Sequence, residues 1–270
     1  MSDAFRAFDI VQLEGGVPTL RSEIVAHEEP LELQINGASV AVVMRTPGND
    51  EELARGFLLT ERVVRSLDDV ASVRHCTVTP DPESDGNIIQ VRLVSGVAFD
   101  LERLRRHSFA SSSCGICGKA TLENALGLAP PLDDEARMQA HHLSRAPAQL
   151  LLEQPTFAVT GGVHAAGLFT LSGELIAARE DVGRHNAVDK IVGWMAERRL
   201  NPEGHALLVS GRVSFELVQK AAAARVPILA GISAPTSLAV RMGQALNVTV
   251  VGFVRGTSMN VYAAPQRIVR

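Results

Sequence analysis

The sequence predicts an α/β protein, α+β taken overall, with a small amino-terminal α+β domain over 1–104 and a larger α/β domain over 105–270. Three observations lead there. Apolar runs of strand length alternate with helix-length amphipathic stretches from Ala206 to Val254, an Asn-Gly pair joins two alternating runs near residue 36, and Gly- and Pro-rich turns punctuate the remainder.

In chain order, residues 25–46 form a hairpin. Leu31, Leu33 and Ile35 alternate with polar neighbours up to Asn36-Gly37, and Val40, Val42 and Met44 alternate after it. Asn and Gly both tolerate positive φ, which a two-residue hairpin turn requires. A helix starts near Asn49 or Asp50, either of which can cap it; acidic residues fill its first turn, and Leu53, Gly56, Phe57 and Leu58 supply its apolar stripe. Strands are expected at 73–79 and 88–94, around the turn-rich Pro80–Asn87. Residues 129–148 are rich in Pro, Ala, Asp and Arg, and fit either a linker or a helix with a surface face. Phe157–Thr160 and Val163–Thr170 look like strand material broken by Gly161-Gly162, and Ser172-Gly173 turns into a further run at Glu174–Ala178. A helix over His185–Arg199 places Val188, Ile191, Val192 and Met195 on one face. Strand 206–210, helix 214–225, strand 226–232, helix 236–246 and strand 248–254 close the series. Such alternation implies parallel pairing with right-handed crossovers.

Composition narrows the function. The 270 residues are 46% hydrophobic and 21% charged, as in folded globular proteins, and with aromatics at 4% the core must rest on Leu, Val, Ile and Ala. A formal net charge of −4 leaves no overall footprint for nucleic acid. No apolar window spans a bilayer and Met1–Ile10 has no secretory h-region, so no membrane association is expected. Three cysteines are too few and too odd in number for a disulfide scaffold, which points to a reducing cytoplasm.

In α/β sheets ligands bind beyond the carboxyl ends of the strands. Those ends here are small and polar: Ser210-Gly211-Arg212-Val213-Ser214, Ser233-Ala234-Pro235-Thr236-Ser237 and Phe253-Val254-Arg255-Gly256-Thr257-Ser258. Two of them lead into helix N-termini, whose free N–H groups favour anions, and Arg212 and Arg255 add forked donors suited to phosphate. Taken singly, each loop is explained as well by Ser and Thr capping helices; three on one edge point to a phosphate-bearing ligand.

The most specific feature is Cys114-Gly-Ile-Cys117, between Ser111-Ser-Ser and Gly118-Lys119. Leu122, Ala125 and Leu126 follow at helical spacing, so the pair lies at or before a first helical turn, where the dipole and Lys119 favour the nucleophilic thiolate. No second Cys-x-x-Cys exists for a four-cysteine zinc site, and no metal site is expected. Cys76 reads as a small apolar core residue. A third cluster, Glu180-Asp181-Val-Gly-Arg184-His185-Asn186, is either an acidic helix start or the polar floor of a heterocycle site. His164, beside Gly161-Gly162, is more simply a satisfied core histidine than a functional one.

With these stretches in hand, the chain resembles the formate dehydrogenase accessory sulfurtransferase family, FdhD. The matching blocks run in one order through most of the sequence. They include Glu28-Glu-Pro-Leu31, Met44-Arg-Thr-Pro-Gly48, Gly56-Phe-Leu-Leu-Thr60, Ser112-Ser-Cys-Gly-Ile-Cys-Gly118, Thr160-Gly-Gly-Val-His-Ala-Ala166, Arg179-Glu-Asp-Val-Gly-Arg-His-Asn186, Val209-Ser-Gly-Arg212, Ser233-Ala-Pro-Thr-Ser237 and Met259-Asn-Val-Tyr262. Only 1–24 and about 127–150 look unshared.

The resemblance implies a cytidine deaminase-like fold for the carboxyl-terminal domain and a homodimer. It implies a sulfurtransferase that takes persulfide sulfur from a cysteine desulfurase. The acceptor would be the molybdenum or tungsten bis-pterin guanine dinucleotide cofactor (Mo-bis-molybdopterin guanine dinucleotide or its W form) of a formate dehydrogenase apoenzyme. That cofactor would be bound as substrate, with no tightly held cofactor of the protein's own. Cys114 would carry the persulfide and Cys117 assist. The guanine nucleotide portion would meet Phe253–Ser258, joined by Ser210, Gly211, Arg212, Ser233, Thr236, His164, Arg184 and His185. A zinc deaminase is the first rival, but its His-x-Glu or Cys-x-Glu and Pro-Cys-x-x-Cys signatures are missing, apart from His27-Glu28-Glu29 far from the cysteines. A chaperone that handles no sulfur is the second.

Overall fold

Two hairpins open the chain, and each turns on a pair of residues with positive φ, Gly15-Gly16 (57° and 84°) and Asn36-Gly37 (49° and 85°). The computed structural model describes residues 4–77, 85–99 and 129–270. Around the first turn, β1 (Phe5–Glu14) and β2 (Val17–Ala26) pair antiparallel as a separate two-stranded ribbon that the sequence reading did not foresee. Around the second, β3 (Glu29–Ile35) and β4 (Ala38–Arg45) form the expected hairpin.

The facing of β4 differs from expectation. A bulge opposite Leu33 and Gln34 leaves one extra residue on β4, so the buried side passes from Val40 to Ala41 while Val42 and Met44 face outward. A bulge shifts an inward set to the other face. Helix α1 (Asp50–Thr60) follows; Asn49 is its N-cap but makes no side-chain capping bond. Then come β5 (Val70–His75) and β6 (Ile88–Leu93), near the expected strands, in a four-stranded sheet of order β4-β3-β6-β5. Cys76 is only half-buried just past β5, where Gln90 Nε2 donates to its sulfur at 3.3 Å, so it is not the core residue expected.

Residues 129–148 resolve into an extended stretch, a short β7 (Met138–Gln139) and the start of α2 (Ala140–Leu152). Phe157–Thr160 is helical, within α3 (Pro155–Thr160), and not a strand. Pro155 suits a first helical position, and the Glu180 carboxylate accepts from the N–H groups of Thr156 (2.9 Å) and Phe157 (2.8 Å). That cap comes from a strand more than twenty residues away.

The larger sheet contains β8 (His164–Thr170), β9 (Leu175–Asp181), β10 (His205–Val209), β11 (Ile228–Gly231), β12 (Thr249–Arg255) and β13 (Ser258–Ala263), in the order β13-β12-β11-β10-β8-β9. β10, β11 and β12 pair in parallel as expected, while β8 and β13 add antiparallel neighbours; β12 therefore does not close the series. Finally β14 (Ile268–Val269) pairs with β7. Alternate strand residues serve two cores. Leu207, Val209 and Leu229 pack beneath α4 (Arg184–Glu197), α5 (Phe215–Ala223) and α6 (Ser237–Leu246), and Ala206, Leu208 and Ala230 pack against α2 on the other face.

Helix α1 joins the two sheets by crossing α4 at backbone contact. A Cβ on Gly56 would lie 1.8 Å from the Asp189 carbonyl oxygen, and one on Gly193 would lie 1.9 Å from that of Glu52. Beside the crossing, the buried Lys220 ammonium donates to Thr60 Oγ1 (3.0 Å), Glu61 (2.7 Å) and Asp189 (2.9 Å), while Thr60 Oγ1 donates to Asp189 at 2.7 Å. Burial opposes the charge on Lys220, but Asp189 and Glu61 outweigh it and hold the ammonium above the ordinary lysine value. Burial pushes the Asp189 carboxyl up to about 6, against the opposing pull of the Lys220 charge.

Candidate functional site

The carboxyl ends of β10, β11 and β12 carry the three small polar loops, and backbone hydrogen bonds stitch them into one rim. Ile232 N–H donates to Val209 (3.1 Å), Val213 N–H to Ala234 (3.1 Å), Thr236 N–H to Val213 (3.0 Å) and Phe253 N–H to Ser233 (3.1 Å). The loops meet closely, tightly enough at Gly252 to exclude a side chain and at ordinary contact distance at Gly211. A Cβ on Gly252 would lie 2.7 Å from Pro235 Cδ, and one on Gly211 would lie 3.4 Å from the His164 ring and 3.5 Å from Arg184 Cδ.

The structure thus brings Gly211, His164 and Arg184 together from three elements. Ser210 anchors them: its Oγ accepts from the Ala165 N–H at 3.0 Å and stands 3.5 Å from His164 Nδ1. Nε of Arg184 is buried with no hydrogen-bond partner among the described residues, an unused donor that protein interiors rarely leave. His185 Nε2 lies 3.3 Å from Ser214 Oγ, and Ser214 is the N-cap of α5 without a side-chain capping bond of its own. That partnership was not legible from the sequence, where Ser214 carried only a capping signal.

Both imidazoles are shifted toward the neutral form. Burial, then the charges of Arg184 and Lys220, pushes His185 down to about 4; burial and Arg184 lower His164 as well. Neutral rings beside a cationic rim serve as hydrogen-bonding walls and not as competing charges. Arg212, Gly256, Thr257 and Ser258 are exposed at the rim. Arg255 Nε reaches the Ile232 carbonyl at 3.4 Å, and its guanidinium stands 5.5 Å from the exposed Phe253 ring, whose backbone holds a positive φ of 53°. Thr236 Oγ1 already accepts from Ala239 N–H at 3.2 Å as the cap of α6. Val254 departs from the expected set because its side chain is wholly buried in the core. With guanidinium groups from Arg184, Arg212 and Arg255 and the N-termini of α5 and α6, this edge suits an anionic, phosphate-bearing ligand.

The Glu180–Asn186 cluster divides among three tasks, of which the capping of α3 by Glu180 is the first. Arg184 and His185 serve the rim, whereas Asp181 is fully buried and accepts from Lys190 (2.8 Å), Thr46 N–H (3.2 Å), Gly183 N–H (2.8 Å) and Asn186 (2.9 Å). Asn186 in turn donates to the Met44 carbonyl at 2.7 Å, so this part of the cluster fastens β4 to the larger sheet. Cys114, Cys117, Lys119 and the helix expected through Leu122, Ala125 and Leu126 lie outside the described residues. Among the described residues no three His, Cys, Asp or Glu side chains gather as a metal site would require.

Comparison with known proteins adds independent findings. The family model described as FdhD/NarQ matches residues 26–269. A protein named sulfur carrier protein FdhD from Mycolicibacterium paratuberculosis is 45% identical over 263 residues, 96% of this chain and 97% of that protein. One of the same name from Mycobacterium tuberculosis is 48% identical over 255 residues, 92% of each chain. Another from the archaeon Sulfolobus acidocaldarius is 44% identical over 264 residues, 97% of this chain and 98% of that one. A crystal structure from Desulfotalea psychrophila, provisionally described as a formate dehydrogenase accessory protein, aligns with a TM-score of 0.78 at 25% identity over 98% of this chain and 100% of that chain.

Proposed function

The chain belongs to the FdhD/NarQ family, and on that premise we propose that it carries persulfide sulfur on Cys114 to the molybdenum or tungsten bis-pterin guanine dinucleotide cofactor of a formate dehydrogenase. Relatives of nearly equal length are named sulfur carriers, which supports the sulfur-handling part. The single observation that carries the cofactor part is the stitched rim. It offers Arg184 with an unused buried donor, exposed Arg212, Arg255 beside Phe253, and two helix N-termini. A guanine dinucleotide presents phosphates to such donors and a base to an aromatic face.

In this reading the Cys114 thiolate attacks the terminal sulfur of a persulfide on a cysteine desulfurase. The donor's S–S bond breaks, its cysteine leaves as thiolate, and a persulfide forms on Cys114 without net oxidation. Cys117 is the assisting thiol. On transfer the Cys117 thiolate attacks the inner sulfur on Cys114, the persulfide S–S bond breaks, and the outer sulfur leaves at the sulfide level to the cofactor held as substrate at the rim. The Cys114–Cys117 disulfide so formed is returned to the dithiol by a cellular thiol reductant, with no tightly bound cofactor of the protein's own involved. Phe253, Arg255, Gly256, Thr257 and Ser258 face the nucleotide, joined by Ser210, Gly211, Arg212, Ser233 and Thr236; His164, Arg184 and His185 form the inner wall. The same reading takes the larger sheet and its helices as a cytidine deaminase-like unit and the working protein as a cytoplasmic homodimer. The exposed Val11, Leu13 and Leu20 of the β1–β2 ribbon support a further partner surface, since an isolated two-stranded ribbon is marginal in water.

The test is restoration of formate dehydrogenase activity in a host lacking its own carrier. The chain should restore it and Cys114→Ala should not, although the variant keeps its affinity for guanosine diphosphate. Full restoration by Cys114→Ala would leave a chaperone role in place of sulfur transfer.

A further inference from the structure

A second cluster of arginines lies at the opposite end of the larger sheet. Helix α5 leaves the carboxyl edge at Phe215 and ends at Ala223, before the chain enters β11 at Ile228, so its C-terminus stands at the far end of the strands. There a groove of about 590 Å³ opens between α1, α4, α5 and residues 62–68. Leu59, Val192, Met195 and Leu200 form its floor. Five arginines (Arg55, Arg62, Arg65, Arg199 and Arg225) line it with Asp68 and Glu197, and Glu51 and Glu203 pair with Arg55 and Arg225, so that arginines outnumber carboxylates by five to four in a chain of net charge −4.

Three of these arginines occupy equivalent backbone positions. Arg62, Arg199 and Arg225 each stand one residue past a helix C-cap, with φ of 56°, 53° and 59°. Each is followed by the same closing bond: Val63 N–H to Leu58 (2.9 Å), Leu200 N–H to Met195 (3.2 Å) and Val226 N–H to Ala221 (2.9 Å). That position favours glycine or asparagine because a Cβ strains the left-handed backbone. The chain does use Gly161 (φ 62°) and Asn247 (φ 54°) at the left-handed ends of α3 and α6. All three such helix ends at the groove carry arginine instead, against local preference.

Their charges are unevenly used. Arg199 pairs with Asp68 (3.1 Å), Arg225 with Glu203 (2.7 Å) and Arg55 with Glu51 (2.9 Å). Arg62 and Arg65 enter no salt bridge among the described residues, and Nε of Arg62 is buried with no hydrogen-bond partner. Burial, then the charges of Arg225 and Arg65, draws Arg62 below the ordinary arginine value, so a carboxylate there would relieve both desolvation and like-charge crowding. An apolar trough open to solvent and edged with guanidinium groups matches a peptide carrying aliphatic anchors between acids.

We propose that this groove docks an acidic segment of a partner protein, seating an aliphatic side chain on the Leu59–Met195 floor and a carboxylate on Arg62. The inference rests on the groove and its helix ends and is independent of the sulfur-transfer reading. The test is fluorescence anisotropy of the full chain with labelled peptides of alternating Glu and Leu, of Lys and Leu, and of Glu and Gly. The Glu-Leu peptide should bind, more weakly as salt rises, and the other two should not. Arg62→Gly combined with Arg225→Gly should lower its affinity about tenfold or more while the thermal midpoint holds or rises, because glycine suits positive φ. Arg65→Ala, at an exposed side chain away from the helix ends, should weaken binding by a smaller factor. No binding of the Glu-Leu peptide, equal binding of either control peptide, or affinity unchanged in the double variant and in Arg65→Ala would each overturn the proposal.

Discussion

The junction between the two sheets and the carboxyl edge of the larger sheet are both dense in polar residues, yet they dispose of them in opposite ways. At the junction, Lys190 is paired with Asp181 and Lys220 with Asp189 in the interior, and the half-buried Glu61 also meets Lys220. At the edge, the backbone is tied loop to loop while side-chain donors are left over: Arg184 Nε has no partner among the described residues, and Arg212 and Arg255 face solvent. Buried charges that saturate one another hold a fold in register, because removing either member strands the other. Donors that remain unused around a fixed backbone await something from outside. Satisfaction of hydrogen bonds, and not polarity, separates the junction from the rim proposed to face a ligand.

Three substitutions sharpen that contrast. The largest effect is expected at the junction. Gly56→Ala places a methyl group 1.8 Å from the Asp189 carbonyl oxygen, so the α1–α4 crossing must open. Stability should fall by about 3 kcal/mol or more and Tm by roughly 10 °C; an unchanged melting curve would mean the helices do not cross so closely. At the edge, Arg255→Ala should leave stability within about 0.5 kcal/mol while reducing affinity for guanosine diphosphate about tenfold by calorimetry. A loss of stability with affinity intact would reverse the assignment of the two regions.

The smallest effect concerns His185. Its folded value near 4 lies below the ordinary 6.5, so the unfolded chain takes up the proton first. The corresponding stability is therefore complete above pH 6.5 and lost as pH falls toward 4. With the ring 33% exposed, solvent screening reduces the expected loss between pH 7.5 and 5 to about 1 kcal/mol. In His185→Gln that component of the pH dependence should vanish. Denaturation curves of the two proteins at both pH values measure the difference, and identical pH dependence would show the imidazole to be solvated in the fold.

What was legible in the sequence follows from the range of the interactions. The Asn36-Gly37 turn, the α4 face of Val188, Ile191, Val192 and Met195, and the parallel run of β10 to β12 depend on local pattern, and all are present. The convergence of the three loops was readable because parallel strands bring their carboxyl ends to one sheet edge; Gly211, His164 and Arg184 do meet there. Partners distant in sequence were not readable. The helix at Phe157–Thr160 is capped by Glu180, the facing of β4 turns on a bulge with no residue signature, and Lys220 finds Thr60 across 160 positions. The Glu180–Asn186 cluster looked like one feature because adjacent residues on either side of a strand end serve different layers. Val254 shows the same limit, since a loop sequence does not tell which of its side chains turns inward.

The central claim is that Cys114 holds the sulfur in transit. Incubating the protein with a cysteine desulfurase and cysteine, then mapping tryptic peptides by mass spectrometry with and without reductant, tests it most directly. The account predicts one reductant-labile sulfur on the peptide containing Cys114, lost in Cys114→Ala. Sulfur found on Cys76 alone, or on no cysteine, would contradict it.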